Sequence, residues 1–180
     1  YSGPSAQHLL GTDKLGRDLF SRLIYGARQS LAMGVIAVAI AAAAGIVIGA
    51  VAGFYGGWIE NGIMRFLDIY QSIPMFLLCV SLAAILGPSL RNSIIAIGIS
   101  MIPNYARIMR ASVLTVREKE FVEASRAINA RDRNLIWGHI IPNAMAPVIV
   151  EITMGIGTAI LNGAALSFSA PSRPSRSGAR

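Results

Sequence analysis

Residues 31–55 read LAMGVIAVAIAAAAGIVIGAVAGFY, and they lie within 31 consecutive uncharged positions between Arg28 and Glu60. A helix needs only about 20 apolar residues to cross some 30 Å of hydrocarbon. The stretch therefore predicts a membrane span from about Leu31 to Tyr55. Along it Ala41, Gly45, Gly49 and Gly53 recur every four residues and line one helical face. Lipid offers no hydrophobic drive for helix association, so a stripe of small residues serves to let two backbones approach closely. The stripe is expected to face protein, either within this chain or on a second subunit.

The composition of all 180 residues agrees. Hydrophobic residues make up 54%, charged residues 14%, and mean hydropathy is +0.57. Soluble domains carry roughly 25% charged residues. The net charge of +7 fits a span-rich chain whose Lys and Arg collect in its loops, and no nucleic-acid partner is expected. A lone cysteine, Cys79, and two distant histidines, His8 and His139, exclude a disulfide framework and a self-contained zinc site. The chain opens on Tyr1 without a visible signal peptide, which leads us to expect an upstream part.

Before the span, HLLGTDKLGRDLFSRLIYGARQSL covers residues 8–31. Placed on a helix from Leu15, it groups Leu15, Leu19, Phe20, Leu23, Ile24 and Ala27 opposite Lys14, Arg17, Asp18, Arg22 and Arg28. This predicts an amphipathic helix in residues 1–30, lying in the interface or against a partner subunit. Gly11 and Gly16 have phosphate-loop spacing, but Arg17 and Asp18 follow where Lys and Ser or Thr are required, which excludes a nucleotide site.

After the span, 22 uncharged residues separate Asp68 from Arg91, giving a second crossing with Pro74 in its first turn or kinking a longer helix from near Ile59. Only 15 separate Arg91 from Arg107, so a third crossing must run past Arg107 and Arg110, whose side chains can reach the headgroups. Asn104, beside Pro103, is a candidate lining residue of a translocation path, or part of a packed kink. A fourth crossing covers about Ala144 to Phe168 and carries Glu151, which should face protein or water. The expected fold is all-α and polytopic.

The longest polar connector, 107–141, holds seven basic and four acidic residues. It predicts two short helices, Val116 to Ile128 and Arg133 to Ile141, joined by a turn at Asn129 and Ala130. Asn129 tolerates the left-handed conformation and could cap the second helix. The connector is either a docking element or a solvated basic loop. Counting Lys and Arg on the two sides gives eight each, so orientation is not set by charge alone.

Glu123-Ala124-Ser125-Arg126-Ala127-Ile128-Asn129, followed by His139-Ile140-Ile141-Pro142-Asn143, resembles the EAA signature of membrane subunits of bacterial ATP-binding-cassette importers. Residues 8–31, GFYGGWIENGIMRFLDIYQSIP at 53–74 and NGAALSF at 162–168 resemble, more narrowly, the dipeptide, oligopeptide and nickel permease group in its DppC-like branch. The resemblance covers about residues 7 to 168. It implies a type I importer transmembrane domain over 31–168, in the bacterial inner membrane. The connector 107–141 would then be cytoplasmic, with Glu123, Ala124, Ser125, Asn129 and Pro142 at an ATPase-docking surface. Asn104, Glu151 and Asn162 would line the path, and Gly45, Gly49 and Gly53 would pack helices.

The partners implied are two cytoplasmic ATP-binding subunits, a second homologous permease subunit, an external solute-binding protein and the bilayer. Peptides or related small solutes would be carried. No cofactor, metal or catalytic residue is expected, since hydrolysis would belong to the partners. Where the family signature has Gly, this chain has Asn129. Residues 169–180 form a Ser, Pro and Arg tail expected to be disordered, where the family continues through further crossings. About four of six crossings are therefore expected. Two other readings are an ion-coupled carrier or channel fragment relaying through Glu151 and Asp68, and a nonfunctional truncated permease remnant.

Overall fold

The structure, a computed structural model, describes residues 3–5, 8–13, 15–87 and 89–169, apart from the side chains of 168 and 169. Positions 170–180 of the expected tail, and Lys14, lie outside the described residues. The described secondary structure is helical apart from one isolated bridge between Thr12 and Asp18.

Helix α1 runs Leu19–Tyr55 without a break. The amphipathic stretch and the first span are thus one helix of 37 residues, about 55 Å long at 1.5 Å per residue. It starts at Leu19 and not at Leu15, because the preceding residues close into a loop. In that loop Asp13 Oδ1 accepts from the N–H of Leu15 at 2.8 Å and of Arg17 at 3.0 Å, and Gly16 turns with φ +73°. Asp18 then caps the helix by accepting from Ser21 N at 2.9 Å. Gly56, at φ 66°, ends it.

The second crossing is not one helix. Helix α2, Gly57–Gln71, and helix α3, Met75–Leu86, meet at a bend of 82°. Pro74 caps α3, lacks an N–H to continue α2's ladder, and disfavours helical dihedrals in the residue before it. Ser72 Oγ donates to the Ile69 carbonyl at 2.6 Å. Gly87 ends α3 at φ 90°, and Ser89 caps helix α4, Leu90–Val116, by accepting from Asn92 N. Pro103 lies inside α4.

Both predicted connector helices form, the second fused to the last crossing. Helix α5 is Glu120–Ala127, since α4 absorbs Val116. Asn129 takes φ 57° in the turn, but Arg131 precedes the next helix and no side chain caps it. That helix, α6 at Asp132–Leu135, passes through a π-helical turn at Ile136–Ile140 directly into α7, Ile141–Ser169. Pro142 has no N–H for the Gly138 carbonyl and its ring crowds that position. The wider turn accommodates it, with Ile141 N–H donating to the Ile136 carbonyl. The last crossing therefore begins a dozen residues earlier than Ala144.

Which elements cross follows from how they pack. Going along α1, the residues Ala37, Gly45 and Gly53 meet Gly98, Tyr105 and Val113 of α4 in the same order, so α1 and α4 run parallel. Helix α7 runs against both, with Gly34 at Ile156 and Ile160, and Gly163 at Met33 and Ile97. Two parallel crossings require a return between them, which makes the bent α2–α3 pair a crossing. By length and composition α1 and residues 132–167 also qualify as spans. Helix α4, at 27 residues or about 40 Å, makes the fourth. The core between them includes Ala37, Val38, Ile97, Tyr105, Met109, Val113 and Val148.

Candidate functional site

The glycine stripe lies on the α1–α4 seam. A Cβ at Gly45 would fall 2.9 Å from Ala106 N, one at Gly49 2.8 Å from Met109 Cβ, and one at Gly53 2.9 Å from Val113 Cβ. Real Cβ atoms essentially never come so near, so these positions admit only glycine at the present helix separation. Gly98 of α4, 2.9 Å from the Ala37 carbonyl by the same measure, and Gly155 of α7 are further close approaches. Gly98 is a lone glycine without a visible stripe, whereas Gly155, Ala159 and Gly163 repeat every four residues, a signal in the sequence that could have found Gly155.

The connector is held at the end of α1. Arg117 donates to the Gly53 carbonyl at 2.9 Å, placing a cation at a helix C-terminus where carbonyls lack partners. The Arg126 guanidinium sits 5.3 Å from the Phe54 ring centroid, and Val122 is fully buried. Helix α5 is thereby fixed through one face. Its other face is open: Glu123 and Ala124 are exposed. Ser125 Oγ donates to the Phe121 carbonyl at 2.8 Å, and its own carbonyl accepts from Ala130 N at 3.1 Å, closing the turn that Asn129 makes possible. Pro142 is exposed and lies beyond the π-helical turn.

A cleft of about 370 Å³ opens between α2, α3, α4 and α7. Its polar wall is Tyr70, Gln71, Ser100, Asn104, Glu151 and Thr158. Asn104 Nδ2 donates to Glu151 Oε1 at 2.6 Å, and Tyr105 OH to the Glu151 backbone carbonyl at 3.3 Å. Asn162 lies outside this wall. It shares the Glu151 face of α7, but 11 residues on it is about 16 Å farther along.

Arg107 and Arg110 turn to protein rather than to headgroups. Arg107 donates to Asp68 Oδ1 at 2.6 Å and Arg110 Nε to Glu60 Oε1 at 2.6 Å, which ties α2 to α4. Asp68 is therefore an ion-pair partner. These pairs went unseen because sequence spacing does not reveal that α2 lies back across α4.

The chain matches the family described as binding-protein-dependent transport system inner membrane component over residues 45–174. It is 48% identical over 166 residues to the dipeptide transport system permease protein DppC of Alkalihalophilus pseudofirmus, covering 92% of this chain and 55% of that protein. It is 47% identical over 166 residues to the di/tripeptide transport system permease protein DppC of Pseudomonas aeruginosa, with the same coverage. It is 44% identical over 167 residues to the glutathione transport system permease protein GsiD of Escherichia coli, covering 93% and 55%. The chain thus spans about half the length of the curated relatives it matches. Among solved structures it is similar to the inward-facing MetNI methionine ABC transporter, with a TM-score of 0.70 at 21% identity, covering 79% of this chain and 72% of that one.

Proposed function

The chain belongs to the family of binding-protein-dependent transport system inner membrane components, and on that premise we propose that it is a permease subunit of an ATP-driven importer of peptides or related small solutes. Its fold is that of an ABC importer transmembrane subunit, and its place is the inner membrane. In this reading the chain carries no hydrolytic chemistry. Two cytoplasmic ATP-binding subunits supply the work, a second permease subunit completes the path, and an external binding protein delivers the solute.

The observation that carries the proposal is the geometry of α5. Arg126 of α5 lies over Phe54 at the end of α1 and Val122 is buried, Arg117 at the end of α4 holds the Gly53 carbonyl beside them, and Glu123 and Ala124 project into the open. A load applied to that outer face reaches α4 through the short link at 117–119, and α4 is packed on α1 along the glycine seam. This is what a lever between an ATPase groove and the spans requires. The connector is accordingly cytoplasmic, and Asn104, Glu151 and Thr158 lie on the solute's route.

The test is Glu123→Ala beside Glu118→Ala, which lies in the turn before α5. Both positions are exposed, so each change should cost within about 0.5 kcal/mol of folding stability. If Glu123 docks against a basic group of the partner, its loss should cost on the order of 2 to 5 kcal/mol of association. Glu123→Ala should then insert normally yet fail to copurify with the ATPase subunits, while Glu118→Ala retains them. Equal retention of both would remove α5 from the docking surface.

A further inference from the structure

Apart from Asp132 at the very start of the last crossing, three carboxylates lie on the crossings, and two of them have cations. Glu60 is paired with Arg110 and Asp68 with Arg107. Glu151 is different: among the described residues its side chain has the Asn104 amide and no ion-pair partner. Its depth makes this costly. Through Tyr105, which packs on Gly45 and reaches the Glu151 carbonyl, it lies level with the middle of the 31–55 apolar run. Ionisable groups at such a depth persist where they face water, a partner charge or a ligand.

The cleft around it narrows the choice of ligand. One carboxylate forms the charged pole, with Ser100, Thr158 and Asn104 as neutral hydrogen-bonding groups beside it. Gln71 and Tyr70, whose hydroxyl donates to the Ile99 carbonyl, add neutral polar groups, and the rest of the wall is apolar, with Ile73, Met75, Leu78 and Met101. A divalent cation is usually neutralised by more than one anionic ligand, and no group of three His, Cys, Asp or Glu side chains assembles among the described residues. A primary ammonium on a short carbon skeleton suits the site. Its N–H donors would reach the Glu151 oxygen that Asn104 leaves free, and its skeleton would lie on the apolar wall.

We infer that Glu151 is the counter-anion for the primary ammonium group of a small amphipathic solute held in this cleft, Asn104 positioning the carboxylate. This rests on the importer reading, and in that reading the group is the free N-terminus of a short peptide. Glu151→Gln keeps an oxygen for Asn104 and removes only the charge, which separates binding from packing.

Two measurements test it. In the first, the protein in lipid nanodiscs is treated with dicyclohexylcarbodiimide, and modification of Glu151 is followed by mass spectrometry with exposed Glu123 as internal reference. Alanyl-alanine should slow modification of Glu151 severalfold, while N-acetyl-alanyl-alanine and sodium chloride at equal concentration should not. Equal protection by sodium chloride would make the site one for inorganic cations, and equal protection by the acetylated peptide would mean that the amine is not read; either overturns the inference. In the second, the assembled importer in proteoliposomes takes up labelled alanyl-alanine, and Glu151→Gln should lower uptake roughly ten-fold or more. Wild-type uptake matched by the variant overturns the inference and leaves the importer reading standing. Amine-specific protection with no wild-type uptake supports the ammonium site and removes the peptide-import reading.

Discussion

Gly49 shows how much of the architecture rests on absent side chains. It packs where α1 and α4 approach most closely, and a Cβ there would collide with the Ala106 carbonyl oxygen. Gly49→Leu cannot be absorbed by rotating a flexible neighbour, because the obstacle is backbone. The helices would have to separate, at a cost of about 3 kcal/mol, the upper end for overpacked cores. Gly157, inside α7, has nothing within 4 Å of a built Cβ, so Gly157→Leu should be neutral or slightly stabilising through helix propensity. Thermal unfolding in detergent should therefore order the proteins as Gly157→Leu, wild type, then Gly49→Leu. Similar midpoints for the two variants would show that the seam yields.

At the scale of elements, the loop ahead of α1 is held by two carboxylates with lowered pKa values. Asp13 is lowered chiefly by the Arg17 N–H, with Leu15 N–H and Arg22 adding and partial desolvation opposing. Asp18 is lowered chiefly by the Ser21 hydroxyl, then by the Ser21 N–H and His8. A carboxylate whose folded pKa lies below its unfolded value contributes stability fully above the unfolded value, and that contribution is lost as pH falls through the folded one. The loop should accordingly be closed at neutral pH and open only below the ordinary carboxylate range near 3.8. The protection of the Leu15, Arg17 and Ser21 amides, taken relative to their intrinsic exchange rates at each pH, should fall there while α4 stays protected. Asp13→Ala together with Asp18→Ala removes the accepting oxygens and should abolish that protection at every pH; a loop as protected in the double variant as in wild type would refute the account.

For the whole molecule, parallel α1 and α4 with antiparallel α7 put both ends of the described chain on one face and α5 on the other. With the importer reading, the α5 face is cytoplasmic. In right-side-out spheroplasts, Ser5→Cys should react with an impermeant maleimide and Arg131→Cys should not, the order reversing in inverted vesicles. Native Cys79 is buried and contributes no background. Labelling of Arg131→Cys from outside would invert the topology and detach α5 from any cytoplasmic partner.

The membrane class, the first span, the small-residue stripe, the left-handed turn at Asn129 and the polar character of Asn104 and Glu151 were legible in the sequence. Each is a local property: a run without charges, a period of four, a residue that tolerates positive φ. The tertiary structure decided what depends on residues far apart in the chain. It showed that the stripe packs on α4, that Asp68 and Glu60 neutralise Arg107 and Arg110, and that Asn104 reaches Glu151 across 47 positions while Asn162 does not join them. It also merged the amphipathic stretch with the first span and split the second at Pro74. Hydropathy marks which residues leave water, but in lipid the pairing of helices is settled by backbone approach and charge neutralisation between elements, and neither is written in the spacing of any one of them.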